Sequence, residues 1–227
     1  YELDNDIKNK DFVVLFTNLN FDTAVLGRNT IINSKKVWID QTVNYWIDNK
    51  PRQLLVIRVH PAEAKLVIPT NVFIGIYLKE INDKIKNANI KIYEAHDKVS
   101  SYELIKFMKA GLVYSSTIGI EIAYNNKPCL IAGDAFYKDQ DFVYSSVNQI
   151  NYFRLLKSLL SNENEKSINR TDLLQFVYFI YFNRVKRLKG INIDHSNHIN
   201  SFSFDSIEEL IHLNNDVFTE FENEILT

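Results

Sequence analysis

Residues 111–133, GLVYSSTIGIEIAYNNKPCLIAG, constrain the fold more than any other stretch of the chain. Leu112, Val113 and Tyr114 make a short apolar run of the kind that forms a buried strand. Ser115, Ser116 and Thr117 then place three small hydroxyl residues where a helix would begin, and residues 118–124 continue with helical spacing. Asn125, Asn126, Lys127 and Pro128 break that helix, and Cys129, Leu130, Ile131 and Ala132 read as a second buried strand ending at Gly133. Strand, hydroxyl-rich turn, helix, turn, strand is a βαβ unit. Its turn is a candidate anion site, because unpaired backbone N–H groups and the helix dipole face whatever binds there. Glu121 follows Thr117 by four residues, about one helical turn, and from there could reach a ribose or sugar hydroxyl. A serine cap on an ordinary helix with a solvated Glu121 accounts for the same spacing, and spacing alone does not separate the two.

The same alternation runs through the first two thirds of the chain. FVVLFT (residues 12–17), QLLVIRV (residues 53–59) and residues 90–93 read as further buried strands. The loop over residues 18–30 carries Asp22, Gly27 and Arg28. Ser34 is expected to cap a helix presenting Val37, Trp38, Val43, Tyr45 and Trp46, which ends before Asn49, Lys50 and Pro51. Arg58, His60, Pro61 and Glu63 cluster at the end of the second strand, where proline stops it. Residues 76–86 read as an amphipathic helix, and Ser100 with Glu103 makes a capping box before Leu104, Ile105, Phe107 and Met108. Five apolar runs joined by connections too long for hairpins predict an α/β, Rossmann-like, doubly wound parallel sheet. Ligands of such sheets bind beyond the carboxyl ends of the strands, and Gly27, His60, Glu63, Ser115, Ser116 and Thr117 all fall there.

Residues 1–11 read as a linker, residues 12–160 as the Rossmann-like domain, and residues 161–227 as a helical extension packed on it. Within the extension, residues 171–188 hold the aromatic run LLQFVYFIYF followed by Asn183, Arg184, Val185, Lys186 and Arg187. Such a helix suits either peripheral contact with a membrane surface or packing across the sheet or against another domain. Residues 191–203 read as a polar connection, and residues 207–213 and 217–226 as two acidic helices.

Composition narrows the partners. The 227 residues are 46% hydrophobic, enough for a sizeable core, and 26 basic against 28 acidic residues leave a net charge of −2. No basic cluster argues for nucleic acid. Cys129 is the single cysteine, so no disulfide framework or cysteine metal cluster is expected, which suits a reducing, cytoplasmic compartment. No signal peptide is visible and no apolar run reaches the ~18 residues that span a bilayer. Starting at Tyr1 rather than methionine, the sequence reads as an excised piece of a longer protein. Walker, GxGxxG, HExxH and nucleophile-elbow motifs are absent from the sequence. Of His60, His96, His195, His198 and His212, only His195 and His198 are closely spaced, and they read as surface residues. His60, between a buried strand and a proline, suits a hydrogen bond to a phosphate oxygen, or one to the backbone.

Taken as an ordered set, FTNLNFDTAVLG, LLVIRVHPAE, DKVSSYELI, LVYSSTIGIEIAYNNKPCLIAGDAFY and FSFDSIEEL resemble the capsule polysaccharide biosynthesis family. That family includes the bacterial Kdo transferases of capsule assembly, which are GT-B glycosyltransferases. The resemblance covers nearly the whole chain and implies the carboxyl-terminal, donor-binding half of such an enzyme. It implies a nucleotide-sugar donor (CMP-Kdo favoured), a glycan or glycolipid acceptor, no cofactor and no metal. Carried over by motif, His60, Pro61, Ser115, Ser116 and Thr117 would bind the donor phosphates, with His60 stabilising the leaving group. Glu121 would contact the nucleotide side, with Arg58 and Glu63 flanking the first motif. The sequence departs from the family where a histidine is expected before Tyr137, which puts contacts from that loop in doubt. The catalytic base would lie in an amino-terminal domain with no counterpart in this chain. A nucleotide-sugar epimerase, a polyol-phosphate transferase and a non-catalytic binding module use similar folds and stay open as alternatives.

Overall fold

All five apolar runs become parallel strands of one sheet: β1 (Phe12–Phe16), β2 (Leu54–Arg58), β3 (Ile90–Tyr93), β4 (Ala110–Val113) and β5 (Cys129–Ile131). A sixth, β6 (Tyr144–Ser145), pairs in parallel with β5 inside a stretch read from sequence as loop. Two residues are too few to show any period. The computed structural model describes residues 3–19, 32, 34–65, 74–161, 163, 166–183, 187–194 and 199–226. Gly27, Arg28, His195 and His198 lie outside the described residues.

Strand order is β3-β2-β1-β4-β5-β6. The chain therefore moves outward from β1 through β2 to β3, returns to the centre, and moves outward the other way from β4. The reversal between β1 and β4 opens a crevice at their carboxyl ends, where doubly wound sheets hold ligands. Every residue of β1, β2, β4 and β5 is buried. Continuous burial, rather than alternation, follows from covering both faces of a parallel sheet with helices.

In the first compact unit, Tyr1–Leu173, the helices are α1 (Asn5–Lys8), α2 (Lys35–Asn49), α3 (Ile74–Glu80), α4 (Asn82–Ile85), α5 (Ser101–Phe107), α6 (Ile118–Tyr124) and α7 (Gln149–Ser161). α1 falls in the segment read as a linker, and its Ile7, with Leu3, is buried. Ser34 caps α2 by accepting the Val37 N–H at 3.2 Å, and Lys50, left-handed at φ 45°, ends it before Pro51. The amphipathic helix expected over residues 76–86 is two pieces, α3 and α4, divided at Ile81. Trp38, Ile39, Val43 and Trp46 of α2 and Tyr152, Leu156, Leu159 and Leu160 of α7 join Val13, Leu15, Leu55, Ile57 and Leu112 in one core. α6 packs on β4 and β5.

The helix α8 (Arg170–Tyr178) continues as a π-helical turn, Phe179–Asn183, into the second unit, Leu174–Thr227. Tyr178, Phe179, Tyr181 and Phe182 are exposed, and the Tyr178 and Phe182 rings stack at 5.2 Å. Residues 191–203, read as an irregular polar connection, instead form an antiparallel pair, β7 (Ile191–Ile193) with β8 (Ile199–Phe202). α9 (Ile207–Leu213) and α10 (Asn215–Leu226) follow. Among the described residues, no helix is long and apolar enough to cross a membrane.

Candidate functional site

A cleft of about 210 Å³ opens at the crevice beyond β1 and β4, lined by residues from four separate segments. Phe16 and Thr17 end β1, Arg58, His60 and Pro61 follow β2, Ser101 and Tyr102 begin α5, and Ser116, Thr117, Ile118 and Glu121 form the turn and first part of α6. His60 and the hydroxyl turn, 55 residues apart at their nearest in the motifs that named them (His60 to Ser115), thus meet on one rim. Ser115 itself is buried beneath the turn, at 1% exposure.

The His60 backbone is fixed by its N–H, which donates to Thr17 Oγ1 at 2.9 Å. Its imidazole is fixed by the Ala62 N–H, which donates to Nδ1 at 3.1 Å. Accepting at Nδ1 puts the proton of the neutral ring on Nε2, so Nε2 is a donor. The short 3₁₀ turn Pro61–Lys65 supplies that Ala62 N–H, which is why a proline directly after the histidine matters.

The hydroxyl turn differs from the expectation in one respect. Ile118 N–H donates to Ser116 Oγ at 3.4 Å, Gly119 N–H to Ser116 O at 3.2 Å and Ile120 N–H to Thr117 O at 3.0 Å. The turn's own oxygens thus take up much of the backbone donor capacity that an anion would use. The weight of recognition shifts to side chains: the Ser116 hydroxyl still has its proton to donate, and the Thr117 side chain makes no cap.

Tyr137 holds this turn from below. Its hydroxyl donates to the Ser116 carbonyl, and burial pushes its phenol well above the ordinary value. The loop that lacks the expected histidine therefore still touches the turn, through the tyrosine. Gly119 makes room for it: a Cβ there would lie 2.2 Å from the Tyr137 hydroxyl. Tyr137 is fully buried, so the ring cannot swing aside. Gly119→Ala is expected to cost about 1–3 kcal/mol of stability through overpacking, read as a lowered urea midpoint, and to weaken whatever the Ser116 turn binds. An unchanged midpoint would show that the turn yields freely.

Glu121 lies beside the Tyr102 hydroxyl, and its charge, then a hydrogen bond, pushes the phenol of Tyr102 up. One carboxylate oxygen of Glu121, Oε2, is buried without a hydrogen-bond partner. Arg58, 3% exposed, gives Nη1 to Glu94 O at 2.5 Å and Nη2 to Asp97 O at 3.3 Å, while its Nε has no partner. Burial lowers its pKa and the Asp97 charge opposes that. The guanidinium thus braces the loop after β3 with one face of the fork left over. Of the buried side-chain atoms without a partner among the described residues, Asn18 Oδ1, Arg58 Nε and Glu121 Oε2 belong to the strand carboxyl rim, and Gln41 Oε1 does not. Unpaired buried polar atoms are costly; their gathering here is a mark of a ligand site.

Glu63 is not among the residues lining the cleft. Its carboxylate accepts from the Ile74 and Gly75 N–H groups at 3.3 and 3.2 Å, at the start of α3. Burial pushes its pKa up, and those two bonds oppose the shift. Phe16, Thr17, Ser101 and Tyr102 are cleft residues that pattern reading did not single out. The capping box at Ser100 was the available signal, since it starts α5 at the same rim.

No family model and no curated protein matches the chain. Solved structures similar to it include a UDP-GlcNAc 2-epimerase of Methanocaldococcus jannaschii in complex with UDP-GlcNAc and UDP, at 17% identity and a TM-score of 0.45, over 79% of this chain and 49% of that one. The beta Kdo 2,7 transferase KpsC of Thermosulfurimonas dismutans is similar at 16% identity and 0.44, over 76% and 53%. MnaA of S. aureus with UDP is similar at 16% and 0.46, over 79% and 48%. The chain spans about half the length of these structures. At such scores none of them assigns a residue or a ligand to this chain.

Proposed function

We propose that this chain is the donor-binding half of a GT-B glycosyltransferase that uses a nucleotide sugar, CMP-Kdo by preference, in capsule or surface polysaccharide assembly. The reading rests on one observation above the others. His60, Ser116, Thr117 and Glu121, the residues singled out by the motif resemblance, line a single cleft at the reversal point of the sheet. In the transfer reaction the bond from the sugar to the nucleotide phosphate breaks, and negative charge grows on the departing phosphate. The Nε2–H of His60 and the hydroxyls of Ser116 and Thr117 offset that charge, with donors fixed in place before the reaction begins. Glu121 accepts from a hydroxyl of the nucleoside.

Isothermal titration of the chain with CMP, CDP and UDP tests the binding half of this reading. Saturable binding of CMP, the leaving group of the favoured donor, is the expected result. Absence of heat with all three would favour a module that keeps the fold without a nucleotide. Product analysis with labelled donor then separates transfer to an acceptor from sugar inversion and from movement of a polyol phosphate.

A further inference from the structure

Tyr102 lies in none of the stretches that suggested a ligand by spacing, yet it stands between two cavities. It lines the cleft that holds His60, Ser116 and Glu121, and also a neighbouring cavity of about 560 Å³ bounded by Arg58, Pro61, His96, Val99 and Ser100. Tyr102 is itself 60% exposed, whereas the carboxylate beside it has an oxygen sealed from water and unpaired, Glu121 Oε2. A carboxylate on a short helix has free χ angles and would ordinarily turn such an oxygen outward to be solvated. Something must hold it, and the Tyr102 hydroxyl is the neighbouring donor that interacts with it.

We propose that Tyr102 is a positioning residue, whose hydroxyl holds one oxygen of Glu121 so that the other is presented to a hydroxyl pair of the ligand, the ribose diol of a bound nucleotide. This rests on the function proposed above. A phenol O–H donates to the carboxylate, which then accepts from the sugar with its second oxygen. Removing the phenol hydroxyl leaves the carboxylate free to rotate toward water. The phosphate contacts of His60 and Ser116 are untouched, so the loss falls on ligands that carry the hydroxyl.

The test is titration of the full chain with CMP and UDP and with their 2′-deoxy counterparts. The unaltered chain is expected to prefer the ribonucleotides by about tenfold, the scale of one hydrogen bond to a charged group. Tyr102→Phe should bring the two affinities together while leaving the deoxy affinity and the melting temperature unchanged. Glu121→Gln should reduce the preference as well, and adding Tyr102→Phe to it should change little more, since the two act as one unit. A purely structural role would weaken both ligands equally. That result, a preference that survives in Tyr102→Phe, or an unaltered chain with no preference would each overturn the inference. If no nucleotide binds the unaltered chain, the proposed function itself fails and the inference falls with it; failure with nucleotides still bound is confined to Tyr102.

Discussion

His60→Asn is expected to slow sugar transfer by ~10²–10³-fold, the effect of removing one fixed donor to a developing oxyanion, with stability held to within about 0.5 kcal/mol. The choice of asparagine follows from the geometry. Its Oδ1 can replace Nδ1 as acceptor for the Ala62 N–H, which now donates at 3.1 Å. Nothing in asparagine reaches the position of Nε2, so the donor assigned to the departing phosphate is lost alone. Alanine would remove both and confuse a lost contact with a loosened turn. Ser116→Ala should have a similar effect on rate, since its hydroxyl is the remaining side-chain donor after Ile118 N–H takes up its lone pair. The measurement is the initial rate of transfer from labelled CMP-Kdo in the full-length protein, with thermal unfolding of each variant as the control. Near-normal turnover in both variants would remove the phosphate assignment.

Trp38→Ala is expected to be the most damaging single change to the fold, costing ~3–5 kcal/mol. Trp38 is completely buried on α2. Its ring lies 5.7 Å from that of Tyr114, and its Nε1–H donates to the Tyr152 hydroxyl at 2.8 Å. Truncation leaves a large cavity and removes the donor that pairs a buried hydroxyl on α7. The damage also reaches the site, because Tyr114 directly precedes the hydroxyl turn and its own hydroxyl donates to the Ile32 carbonyl at 2.6 Å. Burial pushes that phenol up to about 12, so it stays a neutral donor at physiological pH. Trp38→Phe keeps an aromatic ring on Tyr114 and loses the Nε1 donor, so it should fall between Trp38→Ala and the unaltered chain. Urea unfolding of the two variants reads both effects. A Trp38→Ala midpoint close to that of the unaltered chain would show that α2 and α7 do not close this face of the sheet.

The two sets of residues were not equally visible in the sequence. FVVLFT and LLVIR announce buried strands because a parallel sheet covered on both faces needs unbroken apolar runs. Ser34, Lys50 and Pro51 bound α2 by local capping chemistry, which depends on neighbours in sequence. β6 stayed hidden because its two residues owe their strand geometry to pairing with β5 rather than to any pattern of their own. The β7–β8 pair was hidden too, since its exposed, polar strands lack the alternation that marks a half-buried sheet.

Sequence alone determined the βαβ units, the helix caps and the residue types that end strands, because each depends on contacts within a few residues. Position along the chain also placed His60 and Ser116 just after strands, at the rim where such sheets take ligands. Only the tertiary structure decided that β1 lies between β2 and β4, which brings those two rims together. It also decided that Glu63 serves the start of α3, that Arg58 braces the loop after β3, and that Tyr102 stands over Glu121. The reason is the same in each case. A side chain's partner across the sheet is set by strand order and packing, which bring together residues tens of positions apart, and no local spacing encodes that distance.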